Sequence, residues 1–323
     1  MMGSDKIILL ISCLLLITLF SGCVMPGMEE SENFNEEYQA SNETILKISN
    51  ENGRVNISSW DGDTVVVNAT KWTYSTKWNR DGTDELEKVE IVVTERAKEL
   101  EIKTIFPPEG AKVAVHMDIM VPKRAFLDFV ESSNGFIKVT GTKGDTRIQT
   151  SNAPIDVSAV VGNISATTSN GNIVIDDVNG YAEAITSNAD IDVRGTGGIG
   201  NLQTFNGDIR AEIFDLRDDI NIVSGNGNII IYTALSLNAD LVIKTSNADI
   251  MVNDRITVND RILKNERSDG NHLEGRLRDI ISTAARWMNR WSGGNHLEGR
   301  LGDGGYLMSI ETNNGDVKID IIS

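Results

Sequence analysis

SNGFIKV (133–139), SNAPIDV (151–157), SNGNIVI (169–175), SNADIDV (187–193), FNGDIRA (205–211), GNGNIII (225–231) and SNADIMV (246–252) are variants of one phrase. Most begin with a small polar residue, and all continue with Asn, then Gly or Ala, any residue, and an aliphatic pair separated by one position. The asparagines Asn134, Asn152, Asn170, Asn188, Asn206, Asn226 and Asn247 are separated by 18, 18, 18, 18, 20 and 21 residues. A period held this closely is the mark of a stacked repeat, in which a single unit cannot bury its own apolar side.

One unit can be read from its letters. Ile173 and Ile175 alternate with Asn172 and Val174, so both isoleucines project to the same side of a strand. The preceding NISATTSN supplies a second short strand with Ile164 and Ala166 on one side. The Asn-Gly or Asn-Ala between the two strands is a corner, where Gly and Asn tolerate left-handed backbone. Two or three short strands in roughly 18–21 residues predict one turn of a parallel β-helix, a β-solenoid. Stacked turns would bring successive asparagines about 4.8 Å apart, close enough for a ladder of side-chain amides. Asn314, in TNNGDVKID, adds a later copy of the phrase. These eight asparagines are therefore expected to be a structural corner ladder.

Outward from the repeats, the chain divides into six parts. Residues 1–22 read as a signal peptide: Lys6, an apolar run from Ile7 to Phe20, then Ser21-Gly22 before Cys23. The small residues before Cys23 suit lipid attachment, with the protein exported and held at the outer face of the membrane. Residues 23–42, with Glu29, Glu30, Glu32, Glu36 and Glu37, read as an acidic flexible tether. Residues 43–125 alternate apolar and polar residues over longer runs, such as TVVVNATKW (64–72) and KVAVHMDIMVP (112–122), and predict hairpin-connected strands. Residues 126–262 hold the regular repeats. Residues 263–301 form an insertion, and 302–323 a last β unit.

Composition narrows the class. The chain has 323 residues, 40% of them hydrophobic, and a formal charge of −17 from 47 acids and 30 bases. Such an acidic chain lacks the basic footprint of a nucleic-acid binder. Of two cysteines, Cys13 lies in the leader, so no disulfide framework or cysteine metal site is expected.

DIMVPKRAFLDFVESSNGFIKVTGTKGD (118–145) joins an aliphatic strand ending in Val-Pro to Ser-Asn-Gly, Ile-x-Val and a glycine turn, and the repeats continue to GRLGDGGYLMSIETNNGDVKIDI (299–321). This pattern resembles the "putative adhesin" family of β-strand-repeat surface proteins, from about Leu46 to the end of the chain. The resemblance implies a repetitive β fold at the cell surface. It carries no catalytic residues and no cofactor to this chain.

The insertion contains GNHLEGRL twice, at 270–277 and 294–301, one 24-residue unit apart. Between the copies, Ile280, Ile281, Ala284, Trp287, Met288 and Trp291 fall on one side of a helix. Arg278, Asp279, Ser282, Arg286 and Arg290 fall on the other. An amphipathic helix over 278–291 is expected. It would cover an end of the repeat stack or, through Trp287, Trp291, Arg286 and Arg290, contact a partner or membrane.

Other candidate chemistry is sparse. Trp72, Tyr74 and Trp78 lie near Lys71 and Lys77 and could form a binding patch, or pack the long strands. His272 and His296 each precede a Glu by two residues, which is not a recognised zinc-ligand spacing, so no metal site is assigned. Asp190 and Asp208 would be stacked neighbours; Ca²⁺ could relieve their repulsion, but so could solvent, and the G-G-x-G-x-D calcium pattern is absent. No acid–base pair, G-x-S-x-G or phosphate loop points to catalysis. The sequence therefore predicts a non-enzymatic, lipid-anchored β-solenoid at the cell surface, with an adhesin-like role toward a glycan or protein, or a structural envelope role. Two alternatives are a carbohydrate-active β-helix enzyme using outer-face carboxylates and a scaffold subunit of a membrane-associated complex.

Overall fold

A computed structural model describes residues 29–74, 82–265, 289–291 and 295–322. It is mostly β. In chain order the elements are β1 (Glu29–Gln39), β2 (Ile45–Asn50), β3 (Val55–Trp60), β4 (Thr64–Tyr74), α1 (Gly82–Glu87), β5 (Glu90–Arg96), β6 (Glu99–Ile105), β7 (Val113–Pro122) and β8 (Phe126–Ser132). The middle contains β9 (Ile137–Thr140), β10 (Thr146–Thr150), β11 (Ile155–Val161), β12 (Ile164–Thr167), β13 (Ile173–Ile185), β14 (Ile191–Thr204), β15 (Ile209–Ile213), β16 (Ile220–Ser224) and β17 (Ile229–Thr233). The last part holds β18 (Ala239–Thr245), β19 (Ile250–Val252), β20 (Val258–Asn265), β21 (Asn289–Trp291), β22 (Asn295–Leu301), β23 (Leu307–Thr312) and β24 (Val317–Ile321).

The expected parallel β-helix, a β-solenoid of discrete rungs, is corrected by the strand pairing. All of these strands belong to one continuous sheet. One wall runs β5-β6-β2-β8-β10-β12-β13-β14-β16-β23-β18-β22-β20, and the other β1-β4-β7-β3-β9-β11-β13-β14-β15-β17-β24-β19-β21. Each path has thirteen strands, and the two fuse through β13 and β14 into a nearly closed, barrel-like wall. Fusion occurs because these two strands, 13 and 14 residues long, pass from one wall to the other without a break. They absorb the bend in register shifts between Val178 and Tyr181 and between Ala182 and Ala184. Such irregularities let a strand turn while keeping its ladder.

The middle pairs in parallel at the spacing of the sequence repeat: Ile155 lies beside Ile173, and Ile173 beside Ile191. The ends do not follow that rule. β4 pairs antiparallel with β1 and β7, β5 with β6, and β22 with β18 and β20. Nor does spatial order follow chain order. β23 lies between β16 and β18, and β24 between β17 and β19.

Inward residues alternate along the short strands of the middle, and a single apolar core runs the length of the wall, from Leu46 and Ile48 through Ile173 and Ile222 to Ile310 and Ile319. Burying these aliphatic side chains, each worth roughly 1.5–3 kcal/mol, is the main force holding the walls together. At the amino end Leu86, from α1, and Val89, just after it, are buried against the same core.

Two further expectations change. The acidic stretch predicted as tether is in part β1, which pairs with β4 along its whole length and packs Phe34 and Tyr38 against the core. Its glutamates are tolerated because an edge strand keeps one side in water; Glu32 reaches Lys71 at 3.0 Å. The helix predicted over 278–291 ends instead in β21, where Ile250 faces Trp291 and Val252 faces Asn289. The rest of that segment, including Arg286 and Trp287, lies outside the described residues, as do Cys23 and Trp78.

Candidate functional site

The corner between the two walls is the most regular surface of the molecule. Asn134, Asn152, Asn170, Asn188, Asn206, Asn226, Asn314 and Asn247 form one exposed row, in that spatial order. Each amide Nδ2 donates to the Oδ1 of the preceding layer, at 2.8 Å from Asn152 to Asn134 and 2.9 Å from Asn206 to Asn188. Asn314 donates to Asn226 at 2.6 Å, and Asn247 donates to Asn314 at 2.9 Å. The last two layers are therefore inverted relative to the chain, because β23 and β24 intercalate.

Two flanking rows complete the corner. Two residues before each asparagine is a buried Ser or Thr. Its hydroxyl donates to a backbone carbonyl of the layer before: Thr168 to Ala153 at 3.1 Å, Thr186 to Gly171 at 3.2 Å, and Ser224 to Gly207 at 2.8 Å. Two residues after each asparagine, from Asn172 onward, is an Asn or Asp. Its Oδ1 accepts the backbone N–H of the next layer: Asp190 N–H to Asn172 at 3.2 Å, Asp208 N–H to Asp190 at 2.8 Å, and Asn228 N–H to Asp208 at 2.7 Å. Asp190 and Asp208 are thus each tied to the main chain of the following layer, a charge-assisted bond that disperses their charge.

The residue after each asparagine is small because of close approach. A Cβ at Gly171 would collide with the carbonyl oxygen of Ala153, and one at Gly227 with that of Gly207. Among these corner positions only Gly53, in the earlier and looser copy at 52–53, has left-handed backbone, with φ of 117°. Compact stacking, rather than a left-handed turn, therefore explains Gly at corners such as 171 and 227.

The corner also carries an aromatic. Phe205 replaces the serine that precedes the asparagine in other copies and is 63% exposed. It stands beside Gly225, where a Cβ would collide with the Phe205 carbonyl oxygen and lie 3.1 Å from Phe205 Cδ2. Beyond the Asn172–Asp190–Asp208 row is a shallow hollow of about 220 Å³ with Asp192 and Arg210 on its rim. Asp192 lies 3.1 Å from Arg194 and 3.9 Å from Arg210.

Other sequence candidates do not join this corner. Trp72 is half-buried on β4 opposite Ser31 and Ala114, and Tyr74 ends that strand. Arg290 lies opposite Met251 on β21. His296 Nε2 is 2.7 Å from Glu298 Oε1, a pairing of alternate residues on one side of β22. Among the described residues no three metal-ligating side chains converge. His116 accepts a hydrogen bond from the Arg54 N–H at 3.1 Å; burial, then the Arg54 guanidinium, holds its pKa below the ordinary value, with Asp118 opposing. The Ser/Thr row escaped the sequence reading, although its signal is plain: Ser132, Thr150, Thr168, Thr186, Thr204, Ser224, Thr245 and Thr312 all stand two residues before a ladder asparagine.

No protein-family model and no curated protein matches the chain. Three solved structures match the chain at low identity and low TM-score. One, described as "a putative cell adhesion protein" from Clostridium sporogenes, is 14% identical, covers 91% of this chain and 100% of its own, and has a TM-score of 0.22. "A putative adhesin" from Bacteroides fragilis is 10% identical over 90% of this chain and 97% of its own, with a TM-score of 0.36. "A putative adhesin" from Parabacteroides merdae is 11% identical over 64% of this chain and 92% of its own, at 0.33. Superposition at this level identifies no ligand.

Proposed function

We propose that this chain is an adhesin-like surface protein that binds a neutral, hydroxyl-rich polymer, a glycan, along the asparagine corner. The expectation of a β-solenoid is replaced by a mostly-β protein built on one wrapped sheet. The β-helix enzyme alternative was framed on that solenoid and is not proposed again; the segment on which the docking-scaffold alternative rested lies, apart from β21, outside the described residues.

The observation that carries the reading is the exposed row of eight asparagines. Each amide has two N–H donors, and the ladder bond between layers uses one. From Asn134 to Asn314 in the row, the second donor and spare oxygen lone pairs recur at the spacing of parallel strands, about 4.8 Å. Many weak, evenly spaced contacts suit an extended polymer better than a compact ligand. Phe205 adds an apolar platform against which a sugar ring can stack. The formal charge of −17 disfavours a polyanionic partner. The leader-like start, Met1 to Gly22, supports export.

A glycan array with the full chain tests the reading. Saturable binding to a neutral polysaccharide class is expected, weakened at least tenfold by Phe205→Ala with no loss of thermal stability. Binding unchanged by Phe205→Ala and by Asn188→Ala/Asn206→Ala together, or no binding to any polymer, would overturn it.

A further inference from the structure

The pair Asn-Gly occurs seven times in the chain, at Asn52, Asn134, Asn170, Asn179, Asn206, Asn226 and Asn314. This pair is open to a spontaneous reaction, because glycine puts no side chain in the way of ring closure. The backbone nitrogen of the glycine bonds to the side-chain carbonyl carbon of the asparagine. The bond from that carbon to Nδ2 breaks, and Nδ2 leaves as ammonia with the proton displaced from the glycine nitrogen. Water then opens the resulting succinimide at either carbonyl, giving aspartate or its β-linked isomer. To cyclise, the amide must first rotate out of whatever hydrogen bonds hold it.

Every one of these amides but Asn179 is held. At Asn170, Asn206, Asn226 and Asn314 the Nδ2 donates to the preceding layer and the Oδ1 accepts from the next. Asn134, first in the row, keeps the bond its Oδ1 accepts from Asn152 at 2.8 Å. Asn52 Nδ2 donates to the Val113 carbonyl at 2.9 Å. Asn179, on β13, is exposed, and among the described residues its amide has no hydrogen-bond partner. Its neighbours are the reason. A ladder asparagine rests on another asparagine, whereas Asn179 lies between Val161 on β11 and Gly197 on β14. Valine and glycine side chains offer an amide neither donor nor acceptor.

The backbone is irregular at the same place. Val178 pairs with Thr196 and Tyr181 with Gly198, so Asn179 and Gly180 together face Gly197 alone. That two-against-one count is a bulge, and it interrupts the pairing toward β14. On the other side the Asn179 carbonyl accepts the Gly162 N–H at 3.2 Å. Gly180 approaches the Gly162 carbonyl about as closely as Gly171 and Gly227 approach theirs, so it is the freedom of the amide that sets Asn179 apart. We propose that Asn179 is a modification site, the residue at which the folded chain deamidates. The new carboxylate would stand beside the exposed Asp176 and Asp177. The β-linked isomer would also lengthen the backbone of the bulge, where β13 passes from one wall to the other.

Peptide mapping by mass spectrometry, on the full chain held in mildly alkaline buffer, tests the proposal. In the folded chain Asn179 should convert first, and Asn52 and Asn134 more slowly. Asn170, Asn206, Asn226 and Asn314 should be slowest, about tenfold behind Asn179, since each must give up two hydrogen bonds to react. In urea strong enough to unfold the chain, all of these asparagines should convert at similar rates, because each precedes a glycine. Asn152→Ala removes the partner of Asn134 and one of the partners of Asn170. Both should then convert several-fold faster, while Asn179 keeps its rate. Ladder asparagines that convert as fast as Asn179 in the folded chain, or rates at Asn134 and Asn170 that Asn152→Ala leaves unchanged, would overturn the inference.

Discussion

The middle of the molecule and its carboxyl end use the same corner phrase but obey different rules. From Asn134 to Asn226, each layer sits on the one before it in the chain, and the spacing of the letters equals the spacing of neighbours. After Asn226 the phrase continues at Asn247, yet the next layer in space is Asn314, 88 residues further on. A corner phrase specifies how a layer packs but not which layer it packs on. Consecutive layers find each other because short connections leave no alternative. Where a long segment intervenes, at 253–306, two equally phrased layers compete, and end closure decides between them. The inserted β23 and β24 supply Met308, Ile310, Val317 and Ile319, all buried, to neighbours on both sides.

That difference predicts a graded series of effects. The largest should come from ending the chain after Gly304. Removing β23 and β24 strips a neighbour from both the middle and the carboxyl layers, so cooperative unfolding by circular dichroism should be lost beyond β17, not merely trimmed at the tail. Retention of the full transition would mean that the two regions are independent.

Next is overpacking at the corner. Gly227→Val would drive a branched side chain into the carbonyl of Gly207, at a cost of about 3 kcal/mol or more in urea unfolding. Gly110→Val, where no atom lies near, should lose much less, through its left-handed φ of 79° alone. Equal losses would remove the close-approach explanation.

Smaller effects separate the buried from the exposed row. Thr186→Val deletes a buried hydroxyl and leaves the Gly171 carbonyl without its side-chain donor, at a cost of about 1–2 kcal/mol. Asn188→Ala removes two ladder bonds in water and should cost about 1 kcal/mol or less. The opposite ranking would make the exposed ladder, rather than the hydroxyl row, the chief polar brace of the corner.

The smallest effect lies at the amino end. Because the folded-state pKa of His116 is depressed, its contribution is present above the ordinary value of about 6.5 and is lost as pH falls through the lower folded value. Melting temperature should fall modestly more between pH 7.5 and 5 in the native chain than in His116→Gln. Identical pH profiles would show that the imidazole is uncoupled from folding.

Much of this was legible in the letters, and the limits have physical causes. Alternation of Ile and Val placed the inward residues, and the asparagine period marked every layer of the ladder. The hydroxyl row was equally visible two positions upstream but was passed over, because Ser and Thr are common in any β sequence. Spatial order was not legible, since Asn247 and Asn314 head phrases of the same kind and only long-range packing separates them. The wrapping of one sheet through β13 and β14 depends on small register shifts around Gly180 and Gly198 that leave no periodic trace. β1 was masked by its glutamates, which an edge strand accepts on its wet side. β21 was masked by helical periodicity, overridden where three residues could pair with β19.

The inverted order of the last two layers is the centre of this account, and a disulfide choice measures it directly. In a chain with Cys13 and Cys23 replaced by serine, Asn226→Cys/Asn314→Cys places two thiols in adjacent layers, within the Cα separation a disulfide bridges. Asn226→Cys/Asn247→Cys places them two layers apart. Rapid oxidation of the first pair and none of the second is the predicted result. Oxidation of the second pair in preference to the first would mean that the layers stack in chain order, and would contradict the wrapped sheet described above.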